Sequence, residues 1–233
     1  EAVVAANRST IVVMQSGAPV AMPWAAKVPA ILQLWYPGQE CGNALADILT
    51  GKAEPGGHLP QSFPAEGEDY GALTRCPEAH GKVVYAEGTA IGYRGFAARG
   101  TRPQFPFGHG LGYARIEYVD ARLVFGGEQL TVEVDLLNRS ERKGSEVAQV
   151  YLIGETGAPL RLVAFAKTVL APLEKRSIRL AIPERRLCGW DPDNGRWARE
   201  PTALTLAIGP SSVDLRIRKT IAEDRNSRLP DFV

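Results

Sequence analysis

The chain has 233 residues, of which 45% are hydrophobic and 23% charged, and its 27 basic residues nearly balance its 26 acidic ones. This composition is typical of a soluble globular protein with one large domain or two small ones. The near-neutral charge gives no electrostatic reason to expect nucleic acid or an anionic membrane as a partner, and no apolar run approaches the roughly 18 residues of a membrane span.

The three cysteines, Cys41, Cys76 and Cys188, are far apart and odd in number. A disulfide framework is therefore not expected, and no Cys-x-x-Cys spacing indicates a metal or redox site. The three histidines are equally scattered, so we expect no metal site. Unpaired cysteines favour a reducing compartment, which is the only indication of localisation.

Residues 1 to about 110 have the pattern of an α/β structure. The first residues resemble the last turns of a helix ending near Asn7, a residue that tolerates a left-handed cap, which suggests a fragment of a longer chain. Residues 11–14 and 30–35 are continuous apolar runs, typical of strands buried on both faces of a parallel sheet. Residues 40–50 are predicted to form a helix with one apolar stripe and Gly51 as its cap.

Residues 56–60 are predicted to form a turn, followed by a short extended piece that ends at Pro64. A sheet of only two or three strands would leave an edge and a helix-binding face uncovered. We therefore expect this half to complete a sheet that begins upstream of residue 1. Residues 105–113 then combine three glycines, one proline and three aromatic residues, which predicts a tight, aromatic-packed joint.

From about residue 114 the hydrophobic period changes to two, which indicates half-buried antiparallel strands. Gly126-Gly127 and residues 191–195 supply turns, and we expect Trp190 and Trp197 to pair across a hairpin. Seven short strands in ~105 residues predict a β-sandwich of the immunoglobulin or fibronectin type. The predicted strands are residues 117–125, 130–136, 147–153, 164–170, 178–182, 204–208 and 213–218.

Several segments resemble the C-terminal part of family 3 glycoside hydrolases, the β-glucosidase family. The segments that carry this resemblance are residues 12–20, 35–40, 42–51, 55–64, 85–88, 92–94 and 105–113, and residues 144–151 resemble a strand of the fibronectin-like domain that ends many of these enzymes. Three positions depart from the family pattern. His58 stands where Arg or Lys is usual, residues 171–174 replace a Pro-Gly-Glu turn, and Gly112 replaces a common Ser.

The resemblance implies an α/β plus all-β chain. Residues 1–113 would be the C-terminal part of the family's α/β sandwich domain with its linker. Residues 114–220 would be an immunoglobulin/fibronectin III-like β-sandwich, and residues 221–233 a tail.

The resemblance further implies that the intact protein is a retaining exo-β-glucosidase that hydrolyses terminal non-reducing β-D-glucosyl residues without a cofactor. In this family the nucleophile is an Asp in an N-terminal (β/α)8 barrel. The acid/base is commonly a Glu that lies before a helix of the second domain, and residues 1–6 resemble the end of that helix. We therefore expect no catalytic carboxylate in this chain. The expected partners are the missing barrel, the first part of the α/β sandwich domain and a β-glucoside or oligosaccharide; self-association is left open.

Two pairs of charged residues are candidates for a functional role. Glu40 and Asp47 lie seven residues apart on the predicted helix, so about 10 Å separates them along its axis. This distance is too long for the two carboxylates of a retaining pair, and we expect both to be surface charges. Glu87 and Arg94 either line a pocket near the sugar or form a buried ion pair, because guanidinium suits bidentate pairing with carboxylate.

Aromatic side chains and two lone reactive groups are the remaining candidates. Trp35, with Trp24 and Tyr36, either stacks on the apolar face of a sugar or packs in a core, and core packing is the favoured interpretation. We expect the His109 ring to pack against a neighbouring Phe and to bond a backbone carbonyl. Cys41 has no adjacent His or cationic residue in sequence and is not expected to be a nucleophile.

Two other functions fit the same pattern. The sandwich could be an independent carbohydrate- or protein-binding module, with the α/β half as a remnant. Within the family, the enzyme could instead be a β-xylosidase or another exo-glycosidase, because the barrel and the missing loops set that specificity.

Overall fold

The computed structural model describes residues 1–65, 81, 87–126, 129–154, 160–191, 193–199 and 203–221. The chain divides into two compact units. Glu1–Ala53 and Leu59–Phe107 form the first, here called the α/β unit; Glu54–His58 and Gly108–Val233 form the second, the sandwich unit. The domain boundaries expected at residues 113 and 220 stay predictions, and residues 222–233 of the expected tail lie outside the described residues.

In its described residues, the α/β unit contains two short parallel strands and three helices. Its elements are helix α1 (Ala2–Ala6), strand β1 (Ile11–Met14), a 3₁₀ turn (Ala25–Lys27), strand β2 (Ala30–Gln33), helix α2 (Cys41–Leu49) and helix α3 (Gly92–Arg99). β1 and β2 pair in parallel, with Ile11 opposite Ala30. The predicted strands and the helix at residues 40–50 are thereby confirmed, and Gly51 has the left-handed backbone (φ +73°) of a cap.

Two local expectations in this half are wrong, and one helix was not predicted. Asn7 ends α1 with extended backbone (φ −144°) rather than a left-handed cap. β1 and β2 are half-buried, not buried on both faces. The glycine-rich stretch after residue 87 contains a helix, α3, that the low helix propensity of glycine concealed. Gly100 ends that helix in the left-handed conformation (φ +65°).

A small aromatic cluster holds the α/β unit together. Met22, Ala25 and Phe63 are buried, and Trp24 and Trp35 pack against them. The extended piece predicted before Pro64 pairs with the start of the 105–113 run, because Phe63 and Phe105 exchange two backbone hydrogen bonds of 2.7 and 3.2 Å. The first residues of that run therefore pack into the α/β unit.

The described part of the sandwich unit contains seven strands in two antiparallel sheets and a separate hairpin. One sheet has the order β3-β4-β7, the other β11-β10-β5-β6, and β8 pairs with β9. The strands are β3 (Ile116–Gly126), β4 (Gln129–Asn138), β5 (Gly144–Ile153), β6 (Arg161–Leu170), β7 (Lys175–Pro183), β8 (Cys188–Asp191), β9 (Arg196–Arg199), β10 (Leu204–Gly209) and β11 (Ile217–Ile221).

The alternating pattern sets which face of each strand is buried. Along β4, Leu130, Val132, Val134 and Leu136 all point into a continuous core that both sheets share. The predicted β-sandwich is confirmed. The predicted pairing of Trp190 with Trp197 is also confirmed, since the two residues are direct partners in the β8–β9 hairpin.

The last predicted strand, residues 213–218, is wrong in position. The strand begins only at Ile217 because residues 211–214 form a turn in which the Ser211 hydroxyl accepts the backbone N–H groups of Val213 and Asp214. Gly127 of the expected Gly126-Gly127 turn and Pro192 of the turn at 191–195 lie outside the described residues.

The sandwich unit also binds a segment that is remote in sequence, Glu54–His58. The Glu54 carboxylate accepts the backbone N–H of Ala114 at 3.0 Å and forms an ion pair with Arg142 at 3.6 Å. Lys167 Nζ donates to the carbonyl of Gly56 at 2.9 Å. The turn predicted at residues 56–60 is wrong, because residues 56–59 form neither a turn nor a bend and only Pro60 lies at a bend.

Candidate functional site

The candidate binding site of the α/β unit is the edge at which β1 and β2 end. Because the strands are parallel, the loops that follow them leave the sheet on the same side. Ligands of open α/β sheets bind outside the carboxyl ends of the strands. The Gln33 side chain at the end of β2 binds the loop that follows β1, since its Nε2 donates to the carbonyl and hydroxyl oxygens of Ser16, both at 3.2 Å. We call the loops, residues 15–20 and 34–40, the strand-end loops.

Trp35 has strained backbone geometry in the second of these loops. Its φ is +55°, a left-handed conformation that bulky residues rarely adopt. Such strain persists only where the surroundings enforce it, and it is concentrated at binding sites. Here the enforcing contact is with Phe63, whose ring centroid lies 5.9 Å from that of the indole.

The three aromatic residues predicted as a sugar platform or a core separate into two groups. Trp24 and Trp35 pack against the cluster around Phe63, but both are only half-buried, so this packing leaves part of each indole accessible. Tyr36 is instead 85% exposed. Its hydroxyl lies over the backbone of Gly17, where a Cβ would overlap it, so the tyrosine spans the two strand-end loops.

Glu40 and Asp47 have the surface environment expected from the sequence. Glu40 precedes α2, is exposed, and accepts a hydrogen bond from Asn43 Nδ2 at 2.7 Å. Asp47 forms an ion pair with Lys52 at 3.0 Å. Each carboxylate is thus engaged with a different neighbour.

Glu87 and Arg94 are not brought together. Glu87 precedes α3 and its backbone carbonyl accepts the N–H of Ala90, while Arg94 lies in the first turn of the helix. In the described part of the chain, no ion pair or hydrogen bond joins the two side chains. Arg94 Nε is buried and has no hydrogen-bond partner there, an uncommon condition for a guanidinium. The buried ion pair is therefore wrong.

His109 and Cys41 have no arrangement that indicates catalysis. Burial lowers the pKa of His109, and the nearby His58 lowers it further, so the ring is biased toward its neutral form. Cys41 Sγ accepts a hydrogen bond from Gln15 Nε2 at 3.4 Å. Among the described residues, no group of three or more His, Cys, Asp or Glu side chains could hold a metal ion, and no helix is long and apolar enough to cross a membrane.

Sequence reasoning missed two sets of polar residues. Gln15 and Ser16 belong to the first strand-end loop, and their position directly after the apolar run 11–14 could have identified them; Gln33, the last residue of β2, lies inside the run 30–35 and gave no such signal. The second set is in the sandwich unit. There the His58 Nδ1–H donates to Gly108 O at 2.6 Å and Nε2 lies 3.6 Å from Glu146 Oε1.

The His58–Glu146 pair had no signal in the sequence, because the two residues come from remote segments. Both side chains are largely buried. Burial raises the pKa of Glu146, and the attraction of His58 partly offsets that rise. The pair therefore fastens the remote segment Glu54–His58 to strand β5 by an interaction that depends on protonation.

Comparison with known protein families assigns both halves of the chain. Residues 1–113 match the glycosyl hydrolase family 3 C-terminal domain, and residues 146–212 match the fibronectin type III-like domain.

Individual proteins agree with the family models. A β-glucosidase of Rhizobium radiobacter is 42% identical over 95% of this chain. The crystal structure of a Streptomyces venezuelae β-glucosidase in complex with D-glucose matches 94% of the chain with a TM-score of 0.89 and 36% identity. The structure of β-glucosidase 3B from Thermotoga neapolitana with α-D-glucose matches 91% with a TM-score of 0.84 and 37% identity.

The chain belongs to glycoside hydrolase family 3 and carries that family's C-terminal domain together with the fibronectin type III-like domain. It spans only 28% of the length of the Rhizobium protein, and 29% and 30% of the Streptomyces and Thermotoga chains.

Proposed function

We propose that this chain is the C-terminal portion of a retaining exo-β-glucosidase that hydrolyses terminal non-reducing β-D-glucosyl residues. The observation that carries the proposal is the match of both units to proteins named β-glucosidases over 91–95% of this chain. The nucleophile Asp and the acid/base Glu would lie in the upstream part, which we propose to be a (β/α)8 barrel and the first part of the α/β sandwich domain.

The local chemistry of the α/β unit supports an upstream position for the catalytic pair. A retaining mechanism needs two carboxyl groups about 5–5.5 Å apart. Two described carboxylates of this unit form ion pairs with lysines: Glu1 with Lys27 at 2.7 Å, and Asp47 with Lys52 at 3.0 Å. Glu40 lies on an exposed helix end, bonded to its own first turn. None of these groups faces a second carboxylate in such a pair.

The half-buried strands suggest what this portion contributes. β1 and β2 carry mainly apolar residues but remain half-exposed, as expected for strands that pair with further elements of the same enzyme. In this proposal the portion completes the sheet of the second domain, holds the acid/base loop over the barrel and clamps the assembly with the sandwich.

An activity assay with and without the upstream part tests the proposal. The purified chain alone should release no nitrophenol from nitrophenyl β-glucoside, and mixing with the separately expressed upstream part should restore turnover. Nitrophenyl β-xyloside serves as the parallel substrate that identifies a β-xylosidase. Turnover by the chain alone would show that the catalytic pair is not upstream.

We further propose Trp35, Arg94 and Glu87 as substrate-binding residues of the assembled enzyme. The strained backbone at Trp35 and the unpartnered, buried Nε of Arg94 support this role. In the reconstituted enzyme, Trp35→Ala and Arg94→Gln should raise KM about tenfold with a smaller change in kcat, which corresponds to a loss of uniform binding. Trp24→Ala is the matched control, because Trp24 packs against the same cluster outside the strand-end loops.

The alternative function, a carbohydrate- or protein-binding module, has one observation in its favour, an exposed tryptophan on the sandwich unit. The same mixing experiment discriminates between the two functions. A module predicts binding of this chain to polysaccharide without rescue of activity, whereas an enzyme portion predicts rescue.

A further inference from the structure

Trp190 is unusual among the tryptophans of this chain because its side chain is 55% exposed. Tryptophan is on average one of the more buried residue types, so an exposed indole indicates a candidate binding surface. It lies in strand β8 of the β8–β9 hairpin, outside the two sheets of the sandwich.

The indole of Trp190 is held by its neighbours. Its cross-strand partner Trp197 meets it edge to face, with ring centroids 5.7 Å apart and planes at 69°. The Arg185 guanidinium lies 4.9 Å from the centroid of the Trp197 ring. Because Trp197 is fixed between an arginine and a tryptophan, it supports Trp190 in one orientation.

The hairpin itself is also anchored at both ends. At its base, Arg161 of β6 donates to the carbonyl of Cys188 at 2.8 Å, and Cys188 is buried. At its tip, the Asp191 carboxylate accepts the backbone N–H groups of Asp193 and Asn194. Stacking of a ligand on Trp190 would therefore cost little conformational entropy, because the hairpin is already ordered before the ligand binds.

The surroundings of the ring identify the chemistry that it fits. An indole offers an apolar face, while Arg185, Asp191 and Arg196 place charged groups along the hairpin. A pyranose has the matching character, since its C–H face is apolar and its rim carries hydroxyl groups. A protein partner fits less well, because a stable interface needs about 800 Å² on each side and one indole supplies at most about 250 Å².

We propose that Trp190, supported by Trp197, is a sugar-binding platform on the sandwich unit that stacks on a glucosyl ring of a β-linked oligosaccharide. The choice of a glucosyl ligand rests on the proposed function, whereas the platform itself rests only on the geometry of the hairpin. It is separate from the strand-end loops of the α/β unit and needs no catalytic residue.

Titration of this chain with cellohexaose, followed by the indole N–H signals in a proton–nitrogen spectrum, tests the platform. The chain contains four tryptophans, so the signals can be assigned with single Trp→Phe variants. We expect the Trp190 and Trp197 signals to shift with a millimolar Kd, and Trp190→Ala to weaken binding at least about tenfold, which is 1.4 kcal/mol. Trp190→Tyr, which keeps an aromatic face and the cross-strand contact, should retain most of the affinity.

Phe165→Ala is the matched control, because Phe165 is an aromatic residue of β6 that is 65% exposed. This variant should bind cellohexaose like the parent chain. Thermal unfolding of each variant shows whether the sandwich is intact. The absence of any shift up to about 20 mM sugar, shifts confined to Trp24 and Trp35, or unchanged binding by a folded Trp190→Ala variant would each overturn the proposal.

The outcome is distinguishable from that of the proposed function. Cellohexaose binding at Trp190 together with a reconstituted protein that is inactive on β-glucosides would reject the enzymatic proposal and retain the platform. An active reconstituted enzyme whose Trp190 signal does not shift with cellohexaose would retain the enzymatic proposal and reject the platform.

Discussion

The sandwich unit and the α/β unit of this chain bury their apolar residues to very different extents. In the sandwich unit, both sheets point their alternating apolar residues into one core, and Val132, Val134 and Leu136 are inaccessible to solvent. In the α/β unit, the described core is a small aromatic cluster around Phe63, and β1 and β2 remain half-buried. The sandwich therefore has the burial that independent stability requires, whereas the α/β unit has the character of a part of a larger sheet.

The largest expected effect contrasts the same substitution in the two units. Leu136→Ala removes a fully buried side chain from β4 and should lower the free energy of unfolding of the sandwich by about 3–5 kcal/mol. Leu45→Ala in the half-buried face of α2 should cost less than about 2 kcal/mol, because it leaves a smaller cavity and alanine favours helix.

Urea unfolding, with amide exchange of β4 and α2 to separate the units, measures both values. Equal losses of unfolding free energy for Leu136→Ala and Leu45→Ala would contradict the interpretation that burial stabilises the sandwich unit more than the α/β unit.

A second contrast concerns buried amide side chains. Asn138 at the end of β4 is fully buried; its Nδ2 donates to the carbonyls of Arg142 and Ala171 at 2.8 and 2.9 Å, and its Oδ1 accepts the N–H of Ser140. Asn138→Ala leaves these groups unpaired and should cost about 2–3 kcal/mol. Gln33→Ala in the α/β unit breaks only the 3.2 Å contacts with Ser16 and should cost about 1 kcal/mol.

The same urea experiment compares the two amide variants. A Gln33→Ala variant as unstable as Asn138→Ala would show that the strand-end loops are as essential to folding as the sandwich core.

Elements with a local, periodic hydrophobic pattern were predicted from the sequence, and an element without such a pattern was missed. The alternation around Val132 and the apolar stripe of α2 are local patterns with a period, so both elements were predicted. Helix α3 was missed because Gly92 and Gly95 lower helix propensity, although Gly95 is suited to its close contact with the Ala90 carbonyl.

Non-local features were beyond sequence reasoning. The attachment of Glu54–His58 to the sandwich depends on contacts such as Lys167 to Gly56, which join residues more than a hundred positions apart. At the candidate site, Trp35 stays a prediction as a substrate-binding residue. The contact of Gln33 with Ser16 could not be predicted, because it needs the parallel register of β1 and β2.

A smaller effect is expected from backbone strain. In the sandwich unit the strained residue, Leu173, is exposed, whereas in the α/β unit the strained residue, Trp35, is packed against Phe63. Leu173, in the turn between β6 and β7, has φ +57° and is 64% exposed. Leu173→Gly should stabilise the sandwich by about 0.5–1 kcal/mol, because a left-handed backbone costs about 1–2 kcal/mol for an L-residue and the extra freedom of glycine in the unfolded chain offsets part of the gain.

Thermal unfolding measures the gain, and Leu173→Ala, which keeps the strain, is the control. At Trp35 the same substitution to glycine should destabilise the α/β unit, since the indole contact with Phe63 is lost. Stabilisation by Trp35→Gly would contradict the interpretation that packing enforces that strain.

The smallest effect is a pH dependence of the sandwich unit that arises from His109 and Glu146. Burial and the nearby His58 lower the pKa of His109 below its usual range, while Asp214 acts in the opposite direction. The lowered pKa contributes stability that is present above the unfolded-state value of about 6.5 and is lost as pH falls through the folded-state value. Glu146 has the opposite sign, because burial raises its pKa: its contribution is present at low pH and is lost as pH rises through the folded-state value.

His109→Gln should therefore remove the part of the acid destabilisation that develops below pH 6.5, whereas Glu146→Gln should not. One histidine contributes at most about 1.4 kcal/mol per pH unit, and partial exposure of the ring makes the expected change smaller. Urea unfolding at pH 7.5, 6.5 and 5.5 measures the slope in the three proteins. If the slope of His109→Gln equals that of the parent chain, the acid sensitivity of the sandwich unit does not arise from His109.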